Sequence, residues 1–415
     1  MPRAIPNAPP AFCPCPGLKF YRTQRSSYPT PSHWVYHVFI TKWAESLIRR
    51  TPLVPLQFPS TRFQVIPSSQ PLEEERLDEF RTSHYYPVQI GDVYTSKYQV
   101  LGKLGYGTTS TVWLARNLVD HGHVALKIYT QEGGDRDEFQ AYDALSKANP
   151  SHPEAHVGQL ERLAPSQPNP SLTVELLKPG LKYLFLALDC LHSECKLVDT
   201  DINADNILQE IVDDNLYKVF TKEELESPSP RKVVDAHPIY MSRRFGLPRD
   251  FGGVVLSDFG AAVRRDVRRN HDAQPNVYRS PEVMLKTEWS YPVDIWNVGV
   301  MTWDIFEDKH MFYGNDPDGS GYKTRAHLAE LIGMLGPPPL DLIKRGKRSP
   351  EFFTPDGHWN AGIPIPEGMS LEASEENLDG KEKAEFLRFI RSMLQWRPED
   401  RKTARELLED RWLNS

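Results

Sequence analysis

Cysteine is scarce in this chain: there are four among 415 residues. So few cannot build a disulfide framework, and a reducing compartment is the simplest reading. Cys13 and Cys15 lie in a proline-rich stretch with no second pair to complete a zinc site. Cys190 and Cys195 close an apolar helical pattern, where thiols act as core fillers. No run of about 18 apolar residues occurs, so no membrane span is expected. Acids are nearly missing from the first seventy residues, where eight Lys or Arg stand against the single acid Glu45. The remainder therefore carries −14, the −7 of the whole less the +7 of that stretch. An acidic body disfavours direct nucleic-acid binding and favours basic partners, although a solvated surface explains the same charge.

What is present fits an enzyme of two or three lobes with a real core: 39% of residues are hydrophobic and 25% charged. Residues 1–71 read as an extension, either disordered or an organellar transit segment, since they are rich in Pro, Ser, Thr and Arg. From Asp92 the texture changes. TSKYQVLGKLGYGTTSTVWLAR alternates and is rich in β-branched residues, with a glycine turn between two strands, and HVALKIY reads as a third strand. DEFQAYDALSKA (137–148) and LKYLFLALDCLHSE (181–194) carry helical spacing. After residue 280 helices dominate, with Val293–Phe306, Arg325–Leu335 and Lys381–Leu394 the clearest. Strands first and helices later predict two lobes of different class.

The densest chemistry is VDTDINADNIL, residues 198–208. One reading is a calcium loop, with Asp199, Asp201, Asn203 and Glu210 at ligand positions; Ala204 where glycine is required and Asn206 where an apolar residue belongs argue against it. The other reading is phosphoryl transfer. Asp-x-x-x-x-Asn, here Asp201 to Asn206, matches the catalytic core of protein kinases, in which the Asp takes the substrate hydroxyl proton and the Asn holds magnesium.

Further motifs decide between them. Leu104-Gly105-Tyr106-Gly107-Thr108-Thr109-Ser110-Thr111-Val112 resembles the kinase glycine-rich loop, with Ser110 in place of the third glycine. A tight hairpin turn would explain that stretch alone. Val124-Ala125-Leu126-Lys127 follows, and Lys127 would pair with the nucleotide α- and β-phosphates and with a helix glutamate. Glu138 is the candidate; a surface acid on a helix is the plainer alternative. Ser257-Asp258-Phe259-Gly260 supplies a magnesium aspartate. Arg279-Ser280-Pro281-Glu282, Asp294-Ile295-Trp296-Asn297-Val298-Gly299 and Trp396-Arg397-Pro398-Glu399-Asp400-Arg401 complete the order. By the resemblance to protein kinases, Glu282 and Arg401 would form a buried ion pair.

The match is closer still. YYPVQIGDVYTSKYQVLGKLGYGTTSTVWLAR, LHSECKLV-x-TD and AQPNVYRSPEVML resemble the SR-protein kinases, fungal type, over residues 72–413. The 52-position step from Asn206 to Asp258 fits as well, and reads as a mobile insertion. The resemblance implies an α+β, bilobal, protein-kinase-like fold: a small β-rich N-lobe (72–180) and a larger helical C-lobe (181–415) with a spacer at 207–256. It implies ATP and Mg2+ as cofactors and phosphate transfer to Ser or Thr of Arg/Ser-rich proteins, which commonly act in mRNA splicing. Asp201 would be the base, Asn206 and Asp258 the metal ligands. A monomer in the cytoplasm or nucleus is expected.

The chain also departs from that family. Asp199 stands where the family has histidine, which puts a second carboxylate near Asp201. Asn203 stands where the family has the lysine that neutralises the transferring phosphoryl group, so it keeps only a neutral donor there. Ser151–Gly180 holds five prolines and one strand candidate, SLTVELL, too little for the hinge that grips adenine. Between Gly260 and Arg279 there is neither Ser nor Thr, and Thr200 replaces the Arg that would bind a phosphorylated loop. Control by Ser/Thr phosphorylation of that segment is not expected. The alternative function is a pseudokinase that binds a partner without catalysis.

Overall fold

A computed structural model of the chain describes residues 36–38, 51–78, 80–130, 136–148, 160–161, 174–211, 213–234, 237–246, 251–265 and 269–415. The small lobe is one antiparallel sheet. Its strands are β1 (Tyr36–Val38), β2 (Val93–Tyr94), β3 (Tyr98–Tyr106), β4 (Ser110–Asn117) and β5 (His123–Tyr129), in the order β1-β5-β4-β3-β2. Period-two alternation puts Val124, Leu126 and Ile128 inside with Tyr98, Val100 and Trp113. Asn117 closes the β4–β5 turn by accepting the N–H groups of Val119 and Asp120 on its side chain. Helix α1 (Arg136–Ser146) follows, then a short strand β6 (Leu160–Glu161).

Helix α2 (Val174–Cys190) buries Leu177, Leu181, Leu184, Phe185 and Leu188, one apolar stripe at helical spacing. A π turn over Leu191–Cys195 ends it, closed by Lys196 in a left-handed conformation. Cys190 and Cys195 are both buried, as core fillers should be. Next come β7 (Leu197–Val198), the loop 199–206 and β8 (Ile207–Ile211). Helix α3 (Asp214–Glu226) and the hairpin β9 (Arg231–Val234)–β10 (His237–Tyr240) form the middle of the spacer. Strand β11 (Phe251–Leu256) pairs with β8, and β12 (Val263–Arg264) pairs with β7. The rest is helical: α4 (Pro281–Met284), α5 (Pro292–Glu307), α6 (Thr324–Leu335), α7 (Leu340–Arg345), α8 (Leu371–Ser374), α9 (Gly380–Met393) and α10 (Ala404–Leu408). Helix α5 is the axis of the large lobe, with Trp296 and Trp303 fully enclosed among Phe386, Phe389 and Trp412.

Three expectations need correction. Residues 51–71 are not an extension, because they pack on the small lobe. Ile66 and Leu72 are buried with Ile239, the Leu53 N–H donates to the Leu118 carbonyl, and the Gln99 amide bonds Leu56 twice. Glu74 ion-pairs with Lys103, which is fully buried, and Glu75 pairs with Lys232 at 2.6 Å. The described part of the 207–256 spacer is not a loose insertion. Leu216, Tyr217 and Phe220 of α3 close over Leu101 and Leu114 of the sheet, so this part of the C-lobe range belongs to the small lobe by packing. Finally, the strand expected at SLTVELL is helix over its described residues, since α2 starts at Val174. That helix packs with the large lobe, ahead of the expected division at residue 181. The remainder of 149–173, apart from β6, lies outside the described residues, and with it the hinge question. Residues 1–35 and 39–50 lie outside them as well.

Candidate active site

The loop after β7 is shaped by one buried carboxylate from below. Asp294 of α5, with no exposed surface, accepts the N–H of Asp199 at 2.9 Å, the N–H of Thr200 at 2.8 Å and His192 Nε2 at 2.8 Å. Thr200 takes a left-handed conformation (φ 70°), and its hydroxyl donates to the Ala261 carbonyl at 3.0 Å. That turn presents Asp201. The Asn203 amide nitrogen donates to the Asp201 backbone oxygen and to Oδ1, at 2.9 and 3.1 Å. The Asn206 amide nitrogen donates to the same backbone oxygen and to Oδ2, at 2.9 and 3.0 Å. The carboxylate is thus gripped on both oxygens. Partial burial pushes the Asp201 carboxyl up from the ordinary carboxylate range, the two amides pull it back, and Asp258 and Asp205 add to the rise.

This arrangement does not realise the calcium loop. Asp199 is enclosed with its Oδ1 accepting the Asp201 N–H at 3.0 Å, and Glu210 belongs to strand β8. Asn203 faces Asp201, with its nitrogen already spent there and its oxygen accepting the Asp205 N–H at 2.9 Å.

A second cluster converges from three elements. Lys127 of β5 donates to Glu138 Oε1 at 2.8 Å and to Asp258 Oδ1 at 3.0 Å. Glu138 sits on the first turns of α1 and is buried, so the short eleven-residue step from Lys127 suffices. Burial works against the Lys127 ammonium, but Asp258 and Glu138 outweigh it and its pKa moves up. Asp258 adopts a left-handed backbone (φ 59°) and accepts the Gly260 N–H. Phe259 beside it is buried, edge-on to Tyr142 of α1 at 5.4 Å.

The stretch Leu104–Val112 is the β3–β4 hairpin, with Gly107 N–H donating to the Ser110 carbonyl at 2.8 Å. Val112 stands opposite Lys127 in the register, which brings the hairpin over the ion pair. A Cβ built on Gly105 would meet nothing within 4 Å, so the backbone there is open to an approaching group. Thr108, Thr109, Ser110 and Thr111 supply the turn and the entry of β4.

The described residues of the segment after Gly260 are held by side-chain hydrogen bonds. The Gln274 amide bonds the Val293 carbonyl and Asn297 and accepts from Ser280, while the Tyr278 hydroxyl donates to Asp304 at 3.0 Å. Glu282 and Arg401 form a bidentate pair at 2.6 and 2.7 Å, both enclosed. Between this segment and the loop lies an open pocket of about 270 Å³, lined by Thr200, Asp201, Val263, Ala273 and Trp289 among others.

These residues fit a magnesium nucleotide. Lys127 offers a cation, Asp258 is half exposed, and the Asn206 nitrogen is engaged so that its amide oxygen is the atom a hard cation would use. Sequence reasoning gave Thr200 and Asp294 no role in building the loop. Their only signal was membership of the motifs TD and DIWNVG.

Comparison with known proteins agrees with this geometry. The protein kinase domain family matches residues 153–413. A serine/threonine protein kinase of Aspergillus fumigatus is 40% identical over 397 residues, 88% of this chain and 96% of that protein. A serine/threonine-protein kinase SRPK of Physarum polycephalum is 27% identical over 390 residues, 81% of this chain and 90% of its own. Among solved structures, a crystallised kinase domain shares the fold at TM-score 0.57 and 18% identity, covering 79% of this chain and 98% of that one. The chain belongs to the protein kinase family and is a serine/threonine protein kinase.

Proposed function

We propose that this kinase transfers the ATP γ-phosphate, with Mg2+, to Ser or Thr hydroxyls of Arg/Ser-rich proteins, with a role in mRNA splicing and a site of action in the cytoplasm or nucleus. The observation that carries the reading is the convergence of Lys127, Glu138 and Asp258 under a glycine hairpin whose neighbouring loop grips Asp201 on both oxygens. Bound MgATP supplies the phosphoryl group and neutralises its charge. Asp201 takes the proton of the incoming hydroxyl as its oxygen attacks phosphorus and the bond to the leaving ADP breaks. Lys127, held by Glu138, positions the α- and β-phosphates. The backbone of Leu104–Val112 would cover them, and Asn206 and Asp258 would hold the metal. Asn203 holds the base.

For the substrate class, support comes from the kinship with a kinase named SRPK and from the acidic body of the chain, which suits basic partners. The test compares kcat/KM for an Arg/Ser repeat peptide with the same peptide carrying Gln for Arg. A preference of at least about tenfold is expected, the worth of roughly one well-placed charge contact. Equal rates would remove the Arg/Ser assignment and leave the kinase standing.

A further inference from the structure

The residues just ahead of β2 reach the tip of the glycine hairpin. Tyr85 Oη lies 2.9 Å from the Gly107 carbonyl and 3.2 Å from the Thr108 carbonyl. The phenol has one proton, so the two consecutive oxygens share it. Its ring is steadied by Phe80 at 5.4 Å, and its backbone N–H closes the short 3₁₀ turn Thr82–His84. Behind it stands the Glu74–Lys103 pair. Burial, and then the Glu74 charge, push the phenol up to about 12, so the proton stays on the oxygen at any pH the enzyme meets.

Peptide planarity makes this contact directional. In a trans peptide the C=O of one residue and the N–H of the next point opposite ways. A donor that holds the Gly107 and Thr108 carbonyls therefore turns the N–H groups of Thr108 and Thr109 away from itself. Consecutive N–H groups facing one way are what an anion requires. At the same tip the Thr109 carbonyl is held by the Thr130 N–H at 2.8 Å, which fixes the far side of the turn.

We propose that Tyr85 is a positioning residue for phosphoryl transfer, whose hydroxyl orients the Gly107–Thr108–Thr109 backbone so that its amides meet the phosphates of the nucleotide. The proposal rests on the reading of Leu104–Val112 as the nucleotide loop. Hydrogen-bonded through Gly107 and Thr108, the segment between β1 and β2 thus becomes part of the nucleotide site.

The test uses the full chain and Tyr85→Phe, which keeps the ring and removes only the donor. Calorimetry with magnesium measures MgATP and adenosine for both, and a thermal melt follows each. Loss of one hydrogen bond predicts MgATP binding about three- to tenfold weaker in the variant. Adenosine affinity and the melting temperature should be unchanged, because adenosine carries no phosphate for the loop to meet. KM for ATP should rise with it. Unaltered MgATP affinity would overturn the proposal. So would an equal loss for adenosine, or a melting temperature lowered by many degrees, since either makes the hydroxyl a contact of the fold. If the natural chain binds adenosine but gains nothing from the phosphates, the nucleotide reading of the loop fails first, and is told apart by that result.

Discussion

Asp199 is the residue at which this site departs furthest from ordinary electrostatics. It is enclosed beside Asp294, Asp201 and Asp258, its Oδ2 is buried without a partner among the described residues, and its Oδ1 holds the Asp201 N–H. Burial and then Asp294 push its carboxyl well above the usual range, so the fold keeps a proton there that the unfolded chain releases near the ordinary 3.8. The folded state then binds more protons than the unfolded one, and stability falls as pH rises above about 4 toward the raised value. Asp199→Asn keeps shape and removes the proton cost. It should melt higher than the natural chain at pH 7–8, with the gain vanishing as pH approaches 4. Equal melting curves at every pH would contradict the enclosed carboxyl. The sequence marked Asp199 as a like charge next to Asp201. That it is buried beside Asp294 of α5 is a tertiary fact, and no local pattern carries it. Asn203 is a similar case: its type and position were legible, its grip on Asp201 was not.

At the scale of elements, the spacer helix is the instructive piece. The length of the spacer suggested a mobile insertion, yet Leu216, Tyr217, Phe220 and Glu224 already formed one buried face, capped by Asp213 accepting the Asn215 N–H. The face could not be assigned from sequence because its partner, Leu101 and Leu114, is more than a hundred positions away on the sheet. The close fit leaves a sharp mark at Gly102. A Cβ there would stand 2.7 and 2.9 Å from the Phe220 ring. Gly102→Ala should therefore cost about 1–3 kcal/mol by overpacking, read by denaturant melts, and Phe220→Leu in the same chain should recover part of it. A neutral Gly102→Ala would mean that α3 does not seat on β3. By contrast β3, β4, β5, α1, α5, α6 and α9 were readable directly, since each carries its own period of two or 3.6 over many residues, whereas β1 lay in the stretch taken as an extension.

For the whole molecule, the N-terminal boundary and the chemistry can both be tested. Residues 51–76 bring Ile66 and Leu72 into the small lobe and supply the partners of two buried ammonium groups, Lys103 and Lys232. Deleting residues 1–76 strands both cations, and losing one partner of a buried pair costs about 3–5 kcal/mol. The truncated chain should unfold at clearly lower denaturant than the full chain; an unchanged midpoint would return the segment to the status of an extension. Proline content hid this role, because Pro-rich sequence gives no period from which packing can be read. The most direct measurement is single-turnover transfer from ATP to an Arg/Ser repeat peptide, with magnesium, for the natural chain, Asp201→Asn and Asn203→Lys. The natural chain should transfer phosphate, and Asp201→Asn should lose about 10²–10⁴-fold, the span of general-base catalysis. Asn203→Lys should gain about tenfold, because a charged donor to the transferring group outweighs the one hydrogen bond taken from Asp201, which Asn206 still holds. A natural chain that binds MgATP yet transfers nothing, or an Asp201→Asn variant as fast as the natural one, would contradict the assignment of this loop as a working catalytic site.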